Sequence, residues 1–268
     1  MDVNFPAALY HLEGEHCLSP INAGFLIEVD HLACTVLITL RIALDLRAGD
    51  PITAGERYIL CGPQEPASPE HPGCEVPWDE LIAYRREKFE RQKRRWRRGI
   101  RRAWSDRYDL VQTSHSGVSG CRVYRIRVDV EWVDPEILDP DAREGGDPRV
   151  DHVVTVVSHV DREDTNIWGL DSNGPVAAHE VGHYLGNIDE YDGTCDGCPD
   201  RPILDGSIMN DAEADPTGVF AHHFWLVRWW MVTRTCTSFD VVPRVAGLQA
   251  PPVVRWTDVK SFFNDIVC

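Results

Sequence analysis

The chain is short of basic side chains. It carries 27 Lys and Arg against 43 Asp and Glu in 268 residues, a formal charge of −16. Such a balance repels polyphosphate and disfavours nucleic acid as a bulk partner. Long apolar runs are also missing. The longest, residues 32–46, is broken by Arg41 and Asp45, so no stretch supplies the roughly 20 apolar residues of a membrane-spanning helix. Residues 1–17 have neither a basic start nor an apolar centre and include Asp2, Glu13 and Glu15. No cleaved secretory signal is therefore visible. The expectation is a soluble protein that is cytoplasmic, exported by a route without a cleaved signal, or a mature form. Internal repeats are absent. What remains is ordinary: 43% hydrophobic and 26% charged residues describe a globular chain, long enough for one large domain or two small ones.

Cysteine, by contrast, is plentiful for a cytosolic protein and odd in number: Cys17, Cys34, Cys61, Cys74, Cys121, Cys195, Cys198, Cys236 and Cys268. Cys195 and Cys198 form a C-x-x-C, a spacing used for metals or redox chemistry. No second pair exists to complete a structural zinc site, and no βαβ context supports a thioredoxin-like role. A local disulfide, favoured if the protein works outside the cell, or free loop thiols are the readings left open.

One stretch carries chemistry. His179-Glu180-Val181-Gly182-His183 reads H-E-x-x-H. Two imidazoles four residues apart share one helix face, so both can reach a single Zn²⁺ at about 2.0–2.1 Å. Glu180 follows the first imidazole and is placed beside the ion, where it can take a proton from a bound water whose pKa the ion lowers to about 7. Gly186 stands where the helix can end in a left-handed turn. Asp189, three residues on, is where the redirected chain can return a third ligand. Met209 lies further along in Gly206-Ser207-Ile208-Met209-Asn210, a turn of small residues around a lone methionine.

On these residues the chain resembles the metzincin metallopeptidases, whose pattern is H-E-x-x-H-x-x-G-x-x-H followed by a Met-turn. Here Asp189 stands where most of the family has His, as in the snapalysin type. The resemblance implies a zinc endopeptidase in which His179, His183 and Asp189 hold Zn²⁺. Glu180 is then the general base, and Met209 forms the floor beneath the ion without binding it. It also implies an α+β fold: a twisted mixed sheet, a long N-terminal helix, the zinc helix and a smaller C-terminal helical part.

The order of elements fits that expectation. Residues 35–47 alternate as a half-buried strand, and residues 48–77 are rich in Pro and Gly and read as an irregular connection. A helix opens at Trp78, with Ile82, Phe89, Trp96, Ile100 and Trp104 on one face. The rest of its surface is basic, Arg85 included. Residues 79–107 hold 12 basic and 5 acidic side chains, leaving 15 and 38 elsewhere. This is either a solvated face complementing the acidic remainder or a docking surface for an anionic partner. Residues 121–133, 150–160 and 166–170 read as strands. Asn173 and Pro175 suit the start of the zinc helix. A C-terminal helix is expected near residues 221–231, mostly core, with His222 or His223 as an alternative ligand or transition-state contact.

The acidic run Asp189, Glu190, Asp192, Asp196, Asp200 and Asp205 has oxygen ligands for Ca²⁺ but no EF-hand spacing. The divisions expected are an N-terminal extension at 1–33, a catalytic domain at 34–239 and a packed tail at 240–268. The partner expected is a protein or peptide substrate, with no nucleic acid and no membrane span. Other readings stay open. One is a metzincin-fold effector with little turnover that uses the helix of residues 79–107 as its working surface. Another is a different zinc hydrolase with Glu213 as third ligand. A third is a latent enzyme blocked by a thiolate of Cys17, Cys34, Cys61 or Cys74.

Overall fold

The computed structural model describes residues 2–4, 24–61, 75–113, 121–138, 147–187, 189–190, 206–210 and 218–244. These form a mixed α+β structure: one twisted sheet of parallel and antiparallel strands, and four helices. The elements run β1 (Asp2–Asn4), β2 (Gly24–Asp30), β3 (Thr35–Leu46), α1 (Ala54–Cys61), α2 (Trp78–Trp104), β4 (Tyr108–Gln112), β5 (Val123–Val133), β6 (His152–Val157), β7 (Ile167–Gly169), α3 (Gly174–Tyr184), a 3₁₀ turn (Ala221–Phe224), α4 (Trp225–Thr235) and β8 (Phe239–Pro243).

The alternating strand β3 is the centre of the sheet. Val36, Ile38, Leu40 and Ile42 are fully buried on its inner face. One edge pairs in parallel with β5, Val36 opposite Ile126 and Ile42 opposite Trp132. Its other edge is shared end to end by β2, antiparallel along Thr35–Thr39, and β6, parallel along Ile42–Leu46. β7 continues in parallel beyond β6, while β4 and β8 extend the sheet antiparallel beyond β5. The division expected at residue 33 thus falls between two strands that pair with each other, and β8 joins the sheet across the division expected at 239. A disulfide between Cys34 and Cys121 ties the start of β3 to the chain entering β5. Cys61 is also disulfide-bonded. Neither Cys34 nor Cys61 therefore has a free thiolate with which to block a metal. Cys17 and Cys74 lie outside the described residues, as do Cys195 and Cys198.

Helix α2 packs between the sheet and α3. Trp96, Ile100 and Trp104 are buried, as their spacing predicts, and Arg86, Arg91, Arg94, Arg95, Arg98, Arg101 and Arg102 are exposed. Arg97 pairs with Asp129 of β5 at 2.8 Å. Arg85 departs from the basic-surface reading and is 0% exposed. It lies one turn before Phe89 and one after Leu81, on the inner stripe, where its guanidinium meets fixed acceptors. It donates to both carboxylate oxygens of Glu56 at 2.8 Å and to the main-chain oxygens of Ala48, Asp50 and Pro51. A buried cation is tolerated when its donors are matched in this way.

The depth of α3 is set by glycine against glycine. A Cβ on Gly99 would lie 2.5 Å from Gly174 Cα, so α2 and α3 cross in backbone contact. Trp104 Nε1 donates to Ala178 O at 2.8 Å, and Trp96 Nε1 to Ser172 Oγ at 3.1 Å. Asn173 caps α3, its side-chain oxygen accepting from Val176 N at 3.0 Å. No helix among the described residues is long and apolar enough to cross a membrane.

Truncating Glu56 to Ala strands the Arg85 charge, and the expected loss is about 3–5 kcal/mol in urea unfolding; a loss below about 1 kcal/mol refutes the matched-pair reading. Burial pushes the Glu56 carboxyl up, but the Arg85 hydrogen bond and the Thr53 contacts outweigh it and hold it below its ordinary 4.5. The pair's contribution is therefore complete above about pH 4.5 and fades as the pH falls through the lower folded value. Glu56→Gln should flatten that acid limb of the stability curve.

Candidate metal centre

Helix α3 carries His179, Glu180 and His183, as the sequence predicts. Helical hydrogen bonding ends at Leu185, and Gly186 follows at φ +90°, the left-handed region that glycine enters cheaply. A Cβ there would also meet Leu226 Cδ1 at 2.3 Å. The redirected chain brings Asp189 back over the helix. Its Oδ1 lies 3.2 Å from His179 Nε2 and 3.3 Å from His183 Nε2. The two rings stand nearly perpendicular, 5.0 Å between centroids. The side chains of His179, His183 and Asp189 are 11%, 17% and 24% exposed, enough for a small ligand to reach them.

The proton inventory of the two rings decides what this group can bind. His179 Nδ1 lies 2.7 Å from Ile208 O, and His183 Nδ1 lies 2.9 Å from Asn187 O. A carbonyl only accepts, so each Nδ1 must carry the ring's proton. In the neutral rings both Nε2 atoms then present lone pairs, and both face a carboxylate oxygen. Three electron-rich atoms converge on one place, an arrangement that calls for a cation. The spacing matches as well. Two ligand atoms on one tetrahedral ion at about 2.0–2.1 Å are about 3.3–3.4 Å apart, and the imidazole–carboxylate separations are 3.2 and 3.3 Å. Carbonyl acceptors behind metal-binding imidazoles are the usual means of orienting them.

The electrostatics agree. Burial pushes the Asp189 carboxyl up, yet the imidazoles of His179 and His183 outweigh it and hold it well below the carboxylate range. Burial disfavours the charged form of His179, but the Asp189 contact, the Glu180 charge and the Ile208 carbonyl together outweigh this and raise it. A proton and a metal ion thus compete for the same place. Glu180 is 5% exposed. Burial raises its carboxyl, the neighbouring imidazoles pull it back, and Asp189 and Asp164 raise it again. Its basicity exceeds that of an ordinary Glu, which suits proton exchange.

Met209 is fully buried beneath α3. A Cβ on Gly182 would approach its Sδ to 2.3 Å and Trp104 Cζ2 to 3.1 Å, so a bare backbone at Gly182 is what admits the turn. The turn does more than floor the site, because its Ile208 carbonyl orients His179 and its Met209 carbonyl accepts from Glu190 N at 2.8 Å. Neither carbonyl leaves a trace in side-chain pattern, and sequence reasoning missed both.

His222 and His223 are grouped with Glu190 and not with the α3 pair. Two sets of ligand atoms, His179–His183–Asp189 and the buried Glu190–His222–His223, are each close enough to hold a metal ion. Of the six acidic residues considered for Ca²⁺, Asp189 and Glu190 have imidazole partners, and the other four lie outside the described residues, as does Glu213.

Gly182→Ala should cost about 1–3 kcal/mol through overpacking against Met209 and Trp104, whereas Met209→Leu, close to it in volume, should cost less than about 1.5 kcal/mol; equal and negligible losses in thermal unfolding would refute the tight floor. Comparison with protein-family models, with curated proteins and with solved structures finds no match for this chain.

Proposed function

We propose that the chain is a zinc-dependent endopeptidase of metzincin type, with His179, His183 and Asp189 as the ligands. The observation that carries this reading is the convergence of the Nε2 atoms of His179 and His183, each ring backed at Nδ1 by a main-chain carbonyl, on one Asp189 oxygen at 3.2 and 3.3 Å, with Glu180 next to His179 on the helix. Bound there, zinc supplies a Lewis acid for a substrate carbonyl and lowers the pKa of a water to about 7.

The chain's own residues do the rest. Ile208 O and Asn187 O hold the imidazoles in one tautomer. Asp189 contributes the negative charge that makes the group selective for a dication over a neutral ligand. Glu180 accepts the proton of the attacking water and returns it to the departing amine as the peptide bond breaks. Its raised pKa helps the second half of that cycle. Among the described residues three would hold the ion, and a set of three with a fourth position left to water would suit catalysis rather than a closed structural zinc site. Met209 closes the underside and excludes water there.

A second reading, a zinc-containing effector with little turnover, draws on the outer face of α2. Arg94, Arg98, Arg101 and Arg102 are exposed there and have no ion pair among the described residues. Glu180 speaks against it, since a non-catalytic zinc site has no use for a buried base. Full-length protein should bind one zinc per chain by metal analysis and cleave an unfolded protein such as casein. Glu180→Gln should keep the zinc and lose at least about 10²-fold in turnover, and His179→Ala should lose both. Undiminished cleavage by Glu180→Gln would sink the peptidase reading.

A further inference from the structure

The second His–carboxylate group invites the same question as the first, and its chemistry answers differently. His223 Nδ1 lies 3.0 Å from Phe220 N, which donates to it. That ring must therefore carry its proton on Nε2, the atom facing Glu190 Oε1 at 3.2 Å. A nitrogen with a proton is a donor and not a ligand. His222 Nε2 lies 2.6 Å from the same oxygen. That is hydrogen-bond length, and it is far short of the roughly 3.3 Å between two ligands of one tetrahedral ion. Spacing alone admits an ion here; the donor inventory describes a carboxylate gripped by two imidazoles.

What the grip controls follows from chain position. Glu190 adjoins Asp189, and its backbone N–H is tied to Met209 O at 2.8 Å. Its side chain is 4% exposed, and Oε2 has no hydrogen-bond partner among the described residues. A buried carboxylate in that state depends on its imidazole contacts, which makes the anchor stiff. The same 3₁₀ turn also holds Asn187, whose Nδ2 donates to His223 O at 3.1 Å and to Gly182 O at 3.0 Å. Asn187 in turn supplies the carbonyl that orients His183.

We propose that Glu190 is a positioning residue: held by His222 and His223, it fixes Asp189 at the third corner of the ligand triad. This rests on the zinc-centre reading above. It also assigns a role to the histidine pair, whose imidazoles act one step behind the ligands. Without the grip, the segment after Gly186 would sample positions in which Asp189 no longer meets the two Nε2 atoms. Each binding event would then carry the entropic cost of ordering Asp189.

The test is zinc affinity of the full chain, measured by competition with a chromophoric chelator, with apo thermal unfolding recorded alongside. Glu190→Gln replaces a charged acceptor shared by two imidazoles with a neutral amide oxygen, a weaker acceptor, and should weaken zinc about 10- to 100-fold. His222→Ala should weaken it in the same direction, and it serves as the measure where Glu190→Gln does not fold. His222→Gln, whose amide can still donate to Glu190, should return affinity to within about threefold of wild type. A merely structural role would lower the apo melting temperature and leave the affinity of the folded protein unchanged. Affinity within twofold of wild type in both Glu190→Gln and His222→Ala overturns the positioning role and leaves the zinc centre standing. A second zinc that only Glu190→Gln removes overturns it by making the buried group a metal site. Zinc that survives His179→Ala, or no zinc in the wild type, overturns the reading beneath it.

Discussion

Two main-chain carbonyls set the orientation of the two imidazoles on α3. Ile208 O and Asn187 O take the Nδ1 protons of His179 and His183, and that leaves both Nε2 atoms as lone pairs turned toward Asp189. Had either ring met a backbone N–H instead, its proton would have moved to Nε2 and the group would have become a hydrogen-bonded cluster. His223, which does meet a backbone N–H, is that alternative realised elsewhere in the fold. Identical side chains therefore take opposite roles within one site, and the difference lies in the polarity of the main-chain group behind each ring.

The carbonyls reach their places because α3 sits deep. Gly99 and Gly174 let α2 and α3 touch through backbone, and Gly182 lets the turn at residues 206–210 press up from below. Trp104 is the post common to these contacts. Its indole N–H bonds to Ala178 O, and its ring packs edge-on against Phe224 at 5.8 Å. The long basic helix thus sets the height of the α3 imidazoles as well as presenting charge to solvent. The sheet sets the rest, since β3 aligns β5 and β6 in parallel and β7 delivers the chain to Ser172 and Asn173, where α3 begins.

Much of this was legible in the sequence. Strands β3, β5, β6 and β7, the apolar face of α2, the Asn173 cap and the Gly186 turn all follow from periodicity or backbone preference. Those signals are local, and so they survive without knowledge of the fold. Other elements did not show. β2 has the alternation Phe25, Ile27 and Val29, but it lies in a segment with little other signal. β4 and β8 are five residues each, too short for periodicity to stand out, and β8 ends on Pro243, which reads as a break. Helix α1 lies in a stretch whose Pro and Gly content reads as irregular. Arg85 escapes sequence reasoning for a related reason. Charge argues for solvent, and only the carboxylate of Glu56 and three carbonyls brought from residues 48–51 make its burial tolerable.

By itself the sequence determined which residues can bind a metal and that two of them share a helix face, because a 3.6-residue period makes His179 and His183 neighbours in any helix. It also determined that the chain must bend at Gly186. Tertiary structure alone decided which main-chain group stands behind each ring and that His222 and His223 lie against Glu190; the return of Asp189 to the α3 pair was expected from the Gly186 turn, and the fold supplies it. Those outcomes depend on main-chain donors and acceptors contributed by distant turns, and the position of a backbone carbonyl is not written in any side-chain pattern.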